Sequence, residues 1–376
     1  MTKYAEKFTP VFLGSGRCFH TIDWFRSCQQ LTDIEPIFIT DNLDGEGYLR
    51  LLRSQDDVRN LVLIDSVLFK RPTRWGHVWR NLVKLVLVPL QVMRLRKNLH
   101  RVLNPFIFAH SSYYAFIASF CNVRYSFTPQ GSEVLVRPFT SNLYRYFLLR
   151  SVRHAAFTTV DSNVMADRLE ELSGLRPHII QNGIDVAGIG CRTDESNVDA
   201  ERNLVTSIRG FDSNYRIVDI LQARNSQVSC QDLNFCFPFV EGGYERKISR
   251  LIRDKDVLHG RLPKTEMYAL LKRSVCVISI PKSDSSPRSV YEAIFCGAAV
   301  ICTKAQYIDD LPSCMRRRII VVNINDPRWL SDGIVAARQI VSEDYFPSSA
   351  AIDCFDQISS MKRFLSLAFT NVKSPR

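Results

Sequence analysis

The chain has 376 residues, 46% hydrophobic and 23% charged, a composition that excludes a largely disordered chain and, at roughly 100–200 residues per domain, implies two or three domains. Its 49 basic and 38 acidic residues leave a net charge of +11, which is basic but not the profile of a nucleic-acid-binding tail. No apolar stretch approaches the ~20 residues of a membrane-spanning helix, the N-terminus MTKYAEKFTP has no secretory h-region, and 11 cysteines without a CxxC pair argue for a reducing cytoplasm rather than a disulfide framework or a structural zinc site.

Short apolar runs alternate with helix-like stretches along the chain. Buried strands are expected at Val11–Leu13, Pro36–Thr40, Leu61–Ile64, Pro105–Ala109, Arg124–Thr128, Ala156–Val160 and His178–Ile180. Helical periodicity marks Thr21–Leu31 and Asn163–Leu172 between them. Residues 188–203, with the polar run CRTDESNVDAERN, read as a linker or exposed loop. A second series of strands is expected at Leu204–Ile208, Asn234–Phe237, Val257–Leu258, Val275–Ile280, Ala298–Cys302 and Ile319–Asn323. Strands alternating with helices predict two α/β units with parallel sheets. A last helix over about 350–369 is expected to bury one stripe of Phe355, Ile358, Met361, Leu365 and Ala368.

The positive charge is concentrated. Residues 66–160 hold 14 basic residues and one acid, Glu133, whereas residues 1–65 hold 7 basic and 10 acidic ones. In the densest part Arg80, Lys84, Arg94, Lys97 and Arg101 recur near helical spacing, with Trp75, Trp79 and runs of Leu and Val between them. Pro89 is expected to kink any helix there. The functional reading is an interfacial segment on an anionic membrane surface, and the plain alternative is a packed helix pair with a solvated basic face. No nucleic-acid-binding motif accompanies the charge.

The chemistry is concentrated in VISIPKSDSSPRSVYEAIFCGAAVICT, residues 277–303. Ser285 and Ser286 suit an N-cap, Pro287 the first helical position, and Gly297 the C-terminal stop of a helix over Arg288–Cys296. Such a helix start offers unpaired N–H groups and a positive dipole end to a phosphate. Asp284 lies just before it and Glu292 on the helix, both placed for the carboxyl end of the sheet where open α/β folds bind ligands. A carboxylate beside a phosphate site suits sugar or ribose hydroxyls, which it accepts well. An ordinary cap with a solvated glutamate is the bland alternative.

These residues carry a resemblance. Asp284-x7-Glu292 followed by Ala293 and Cys296-Gly297 resembles the acidic-x7-Glu signature of the retaining glycosyltransferases of family 4. In the expected order along the chain, Thr128-Pro129-Gln130-Gly131-Ser132-Glu133, Asp161-Ser162-Asn163, Gln181-Asn182-Gly183-Ile184-Asp185, His259-Gly260 and Lys264–Lys272 are similar to that family's other landmarks. The resemblance covers roughly residues 10–370. It implies the GT-B fold: α/β, two Rossmann-like domains with parallel sheets facing a central cleft, and a C-terminal helix packing back on the first domain. Residues 1–187 would take the acceptor, 188–348 the nucleotide sugar, and 349–376 would return to the first domain.

The resemblance also implies roles. Glu292 would hold the ribose hydroxyls of a nucleotide-sugar donor, and Asp284, where the family usually has Glu, would contact sugar hydroxyls near the reacting carbon. Backbone amides of Arg288 and Ser289 would bind the diphosphate, beside Pro287, which has no N–H to give. Arg209 would clamp the diphosphate. The usual lysine six residues on is replaced by Tyr215, with Arg216 next to it as a weaker candidate. Gly16 and Gly260 would line the donor side. Gly14, Ser15, His110, Gln130 and Gly131 would lie on the acceptor side, with no histidine base at Gln130. The loop Gly14-Ser15-Gly16 is not a dinucleotide fingerprint, because Phe19 stands where a third glycine belongs.

The implied activity is transfer of a sugar from a nucleotide diphosphosugar to a hydroxyl acceptor, with retention and without a metal or other cofactor. Charge points to a lipid-linked saccharide in surface polysaccharide or glycan assembly, handled by a cytoplasmic enzyme peripheral on the inner membrane face. The alternatives are a catalytically inactive nucleotide-sugar or glycan-binding protein and a nucleotide-sugar epimerase of the same fold.

Overall fold

The computed structural model describes residues 8–33, 35–42, 53, 55–64, 82–190, 202–227 and 231–373. The chain divides into two compact units, one of Met1–Asn182 with Gln357–Arg376 and one of Gly183–Asp356.

The first unit is built on seven strands: β1 (Thr9–Leu13), β2 (Ile37–Thr40), β3 (Asp57–Asn60), β4 (Pro105–His110), β5 (Tyr125–Thr128), β6 (Phe157–Val160) and β7 (His178–Ile179). Their order is β3-β2-β1-β4-β5-β6-β7, with every pairing parallel. Side-chain alternation gives this sheet two chemically different faces. Val11, Leu13, Ile37, Ile39, Ile107 and Ala109 enter an aliphatic core. The residues between them, Phe12, Phe38, Phe106 and Phe108, enter an aromatic one. Each such phenylalanine stabilises the fold by about 1.5–3 kcal/mol on burial.

The aromatic core is closed by the helix Gln357–Lys373, which buries Met361, Phe364, Leu365 and Ala368. Phe364 meets Trp24 at 4.5 Å and Phe108 at 5.0 Å between ring centroids. The expected single last helix is instead two, Ser349–Phe355 and Gln357–Lys373, interrupted at Asp356. Phe355 therefore belongs to the second unit's core, stacked edge-on against Tyr291 at 4.6 Å.

The strand expected at Leu61–Ile64 lies earlier, at Asp57–Asn60. This edge strand, DVRN, is polar and only half-buried, while Leu61 and Ile64 bury themselves beyond its end. In the basic block, residues 82–86 and Val88–Leu99 are helical, with the break at Leu87 beside Pro89. Trp75, Trp79 and Arg80 lie outside the described residues.

The second unit repeats the plan with β8 (Leu204–Ser207), β9 (Leu233–Cys236), β10 (Val257–Gly260), β11 (Ser274–Ser279), β12 (Ala299–Cys302) and β13 (Ile319–Val321) in the order β10-β9-β8-β11-β12-β13. All of its pairings are parallel. In each unit the order runs 3-2-1-4-5-6, so it reverses between the first and fourth strands. Doubly wound sheets leave a ligand crevice at the carboxyl ends of those two strands.

Candidate active site

In the second unit the reversal falls between β8 and β11, and the site grows from the loops that leave them. Arg209 comes two residues after β8. The residue is 8% exposed, and its guanidinium donates from Nε to Ser279 Oγ at the end of β11 (2.9 Å) and pairs through Nη2 with Asp284 Oδ2 at 3.1 Å. The structure therefore brings together Arg209 and Asp284 from loops 75 residues apart.

The two loops are stitched by Asn214. Its carbonyl accepts from Lys282 N–H at 2.8 Å, its amide donates to the Ser283 carbonyl, and its side-chain oxygen accepts from Ser283 N–H. Asp212 fixes the turn before it by accepting from the N–H groups of Asn214 (2.7 Å) and Tyr215 (3.2 Å).

Tyr215, where a lysine was expected, takes up a different part. Arg209 sits over its ring at 5.2 Å, a cation–π contact. Burial pushes the Tyr215 phenol up in pKa, Arg209 opposes that and Asp284 adds to it, so the ring stays neutral. Arg216 occupies the left-handed region, φ 53°, at the start of the helix Ile217–Asn225.

The signature helix runs Arg288–Phe295. Pro287, not a serine, is its N-cap, because Pro287 is extended (ψ 93°) and the first helical residue is Arg288. Ser286 Oγ instead meets Tyr291 OH at 3.1 Å. The Ser289 hydroxyl is buried without a hydrogen-bond partner among the described residues. The helix closes on Gly297 in the left-handed region (φ 82°), with Gly297 N–H bonded to Ile294 O and Ala298 N–H to Ala293 O.

Glu292 is 6% exposed, and its Oε1 accepts from the Tyr268 hydroxyl at 3.2 Å. Burial first, then the charges of Glu292 and Asp185, push the Tyr268 phenol well above its ordinary range, with Arg288 opposing. The negative charge of Glu292 also reaches Cys236, at the end of β9. Gly260 ends β10 with φ 65°, and open space lies where a Cβ would stand.

The expected acceptor-side residues gather at the equivalent place in the first unit, where β1 and β4 end. Gly14 packs so closely on Thr21 that a Cβ would come within 2.8 Å of its methyl group. Gly16 N–H bonds Thr40 Oγ1 at 2.9 Å, and Ser15 Oγ accepts from Asn42 at 3.1 Å. Gln130 caps the helix Gly131–Leu135 in a reciprocal box with Glu133. Glu133 in turn accepts from Ser111 Oγ and Ser112 N–H, both at 2.9 Å, holding Ser111 at φ 82°. His110, the last residue of β4, is buried in this cluster.

Sequence reasoning missed Ser279, Tyr268 and the ring role of Tyr215. Ser279 was visible only as the polar end of the apolar strand β11, and Tyr215 only as the residue standing where a lysine was expected.

HepE from Anabaena, solved with UDP and glucose, superposes with a TM-score of 0.72 at 14% identity, over 96% of this chain and all of that one. The fold is that of the GT-B glycosyltransferases. Sucrose-phosphate synthase from Thermosynechococcus elongatus matches with a TM-score of 0.69 at 12% identity over 97% of this chain and 99% of that one. A GT-B likeness also extends to a putative UDP-N-acetylglucosamine 2-epimerase from Listeria monocytogenes, with a TM-score of 0.61, 10% identity and 98% of both chains covered. No protein-family model and no curated protein sequence matches this chain.

Proposed function

We propose that this protein transfers a sugar from a nucleotide diphosphosugar to a hydroxyl acceptor with retention at the anomeric carbon, the second unit taking the donor and the first the acceptor. The observation that carries this reading is the pairing of Arg209 with Asp284 at the reversal point of the second sheet, beside a helix start that carries the buried Glu292. A diphosphate at that helix start would meet the amides of Arg288 and Ser289, the orphaned Ser289 hydroxyl and the Arg209 guanidinium. Glu292 is placed to accept from ribose hydroxyls and Asp284 from the sugar. HepE, a structural neighbour, was solved with UDP and glucose and also with UDP-glucose.

Catalysis then rests on positioning and on stabilising the departing diphosphate. The bond from the anomeric carbon to the phosphate oxygen breaks, and its electron pair goes to the diphosphate. The acceptor oxygen bonds the same face and passes its proton to that phosphate oxygen. The reading involves no metal. Among the described residues no group of three or more His, Cys, Asp or Glu is arranged to hold one.

The acceptor reading is a lipid-linked saccharide at an anionic inner membrane face. No described helix is long and apolar enough to cross a membrane. Leu82, Val86, Leu90 and Met93 are nevertheless exposed at helical spacing, with Val86 at 69% and Met93 at 65%, beside exposed Arg94, Lys97 and Arg101. This combination suits an interfacial surface. Lys84 faces inward, 3.8 Å from buried Asp41 and over the Tyr113 ring.

A thermal-shift panel of UDP-, GDP-, ADP- and dTDP-sugars tests the donor reading, because a ligand that binds only the native state raises its apparent stability. One nucleotide class should raise Tm in the wild type and fail to do so in Glu292→Ala. No shift across the panel would end the reading. A donor that binds without hydrolysis or transfer to any lipid-linked acceptor would point to an inactive binding protein. Interconversion of the free nucleotide sugar would point to an epimerase. Flotation with anionic vesicles tests the membrane surface, and salt-insensitive failure to float would refute it.

A further inference from the structure

The loops that leave β8 and β9 carry an aromatic group that the diphosphate and ribose contacts do not use. Phe211 and Phe237 stack with ring centroids 4.0 Å apart, and Phe211 belongs to the core of the second unit. Phe239 extends the group outward. It is 48% exposed, and its ring centroid is 6.5 Å from that of Tyr215, the ring that Arg209 covers.

A single exposed apolar side chain is ordinary on a protein surface. Phe239 differs because its loop is pinned beside the site. Phe211 N–H bonds Phe239 O at 2.9 Å and Glu241 N–H bonds Phe211 O at 2.8 Å, so the two loops pair in parallel beyond their strands. The ring also packs on Gly210, the residue after Arg209. A Cβ at position 210 would come within 2.5 Å of Phe239 Cζ and 2.7 Å of Cε1. Glycine alone lets the ring approach the backbone so closely next to the cation. The ring is thus in place before any ligand arrives, which lowers the ordering cost of binding.

The two faces of the second sheet serve different parts of the site. Ile208, Cys236 and Val277 point to the side where the signature helix and Tyr268 pack, and Glu292 meets Tyr268 there. Val205, Phe235 and Ile278 point to the other side, where Phe211, Phe237 and Tyr215 pack. The acid read as the ribose partner and the aromatic group therefore lie on opposite sides, with Arg209 leaving the strand between them. A nucleoside held by Glu292 runs along the first side, so the aromatic rings are left for what lies beyond the phosphates.

A pyranose with equatorial hydroxyls presents a patch of C–H groups on each face. That patch is poorly hydrated and is attracted to the negative face of an aromatic ring. The hydroxyls at its rim stay free for polar partners, of which Asp284, bonded to Arg209, is the nearest acid in the following loop.

We propose that Phe239 and Tyr215 form a saccharide-binding platform beside Arg209, on which a pyranose ring stacks by its C–H face. The transferred sugar and the terminal sugar of an acceptor both have that chemistry, and kinetics separates them. The placement of the platform beyond the phosphates rests on the donor reading above; the stacking itself does not.

Saturation-transfer NMR of the full chain with free glucose, galactose, mannose and N-acetylglucosamine at millimolar concentration tests this without any transfer step. The ring protons of at least one sugar should take up saturation. Phe239→Leu keeps an apolar side chain over Gly210 but removes the π face, and it should lower that signal about fivefold, while Phe239→Tyr restores it. Tyr215→Leu reads the same platform from its other ring. In a transfer assay Phe239→Leu should raise KM about fivefold, for the donor where the transferred sugar stacks and for the acceptor where the acceptor does. The Kd of the nucleoside diphosphate of the class found by thermal shift should stay within about twofold of the wild type. A rise in that Kd would assign the ring to the nucleobase and overturn the proposal. No saturation of any sugar in the wild type, or an unchanged signal in the folded variants, overturns it as well. A silent thermal-shift panel beside a Phe239-dependent saccharide signal would instead end the donor reading and leave the platform standing.

Discussion

Replacing Glu292 by glutamine separates donor recognition from folding. The Tyr268 hydroxyl, bonded to Glu292 Oε1 at 3.2 Å, keeps an acceptor in Glu292→Gln, so the buried contact survives. Alanine would instead orphan that hydroxyl and cost about 1–3 kcal/mol of stability. The loss in function is the charge. A hydrogen bond to a charged acceptor contributes about 1.5–3 kcal/mol and a neutral one about 0.5–1.5, a difference of about 1–1.5 kcal/mol for each ribose hydroxyl. Two hydroxyls give about 2–3 kcal/mol, or a roughly 30- to 140-fold rise in Kd. Calorimetric titration with the nucleoside diphosphate of the donor class identified by thermal shift measures this, with an unchanged Tm of the unliganded protein as the control. A Kd within threefold of the wild type, with Tm unchanged, would refute the assignment of Glu292 to the ribose.

Arg209→Lys should keep the charge but lose the Ser279 bond and the planar contact over Tyr215. It should lower kcat at least tenfold, with a smaller change in donor Kd, in a transfer assay. The pair Arg224–Asp256 is fully buried at 2.5 Å, so Asp256→Asn should cost about 3 kcal/mol in urea unfolding at pH 7. Burial alone would raise the Asp256 carboxyl, but the bonds from Arg224 and from the Arg253 and Leu233 amides hold it below its usual range. Its contribution is thus full above pH ~4 and is lost as the pH falls further, so the gap between wild type and Asp256→Asn should narrow on acidification. Gly297→Ala forces a side chain into the left-handed region and its Cβ to within 2.5 Å of the Arg202 guanidinium. It should lower stability by about 1–2 kcal/mol in the same unfolding assay.

Most strands could be read from the sequence because central parallel strands are apolar on both faces, as IFIT and AVIC are. That same reasoning misplaced β3, because an edge strand covered on fewer sides can be polar, and DVRN is. The apolar stripe across residues 355–368 hid a break, since periodicity does not register that Phe355 and Met361 pack in different units. At the site, Asp284 and Glu292 stood out by their spacing across a helix start, and Arg209 by the family pattern that the chain resembles. Their supports, Ser279, Tyr268 and Tyr215, did not, because a hydroxyl near a strand end or on a helix has many ordinary uses. The proline N-cap was missed because serines precede it, and the preference for Ser at that position is statistical, not obligatory.

The Arg209–Asp284 pair has a further consequence for selectivity. At rest the guanidinium is already neutralised, and the Tyr215 ring against it adds no charge. A lone phosphate entering there must displace a carboxylate and leave it stranded. On the proposed reading a nucleotide diphosphosugar does not incur that penalty, because its phosphates take over the cation while its sugar hydroxyls engage the released acid. The crevice would thus reject half-matching anions by competition from within, not by shape.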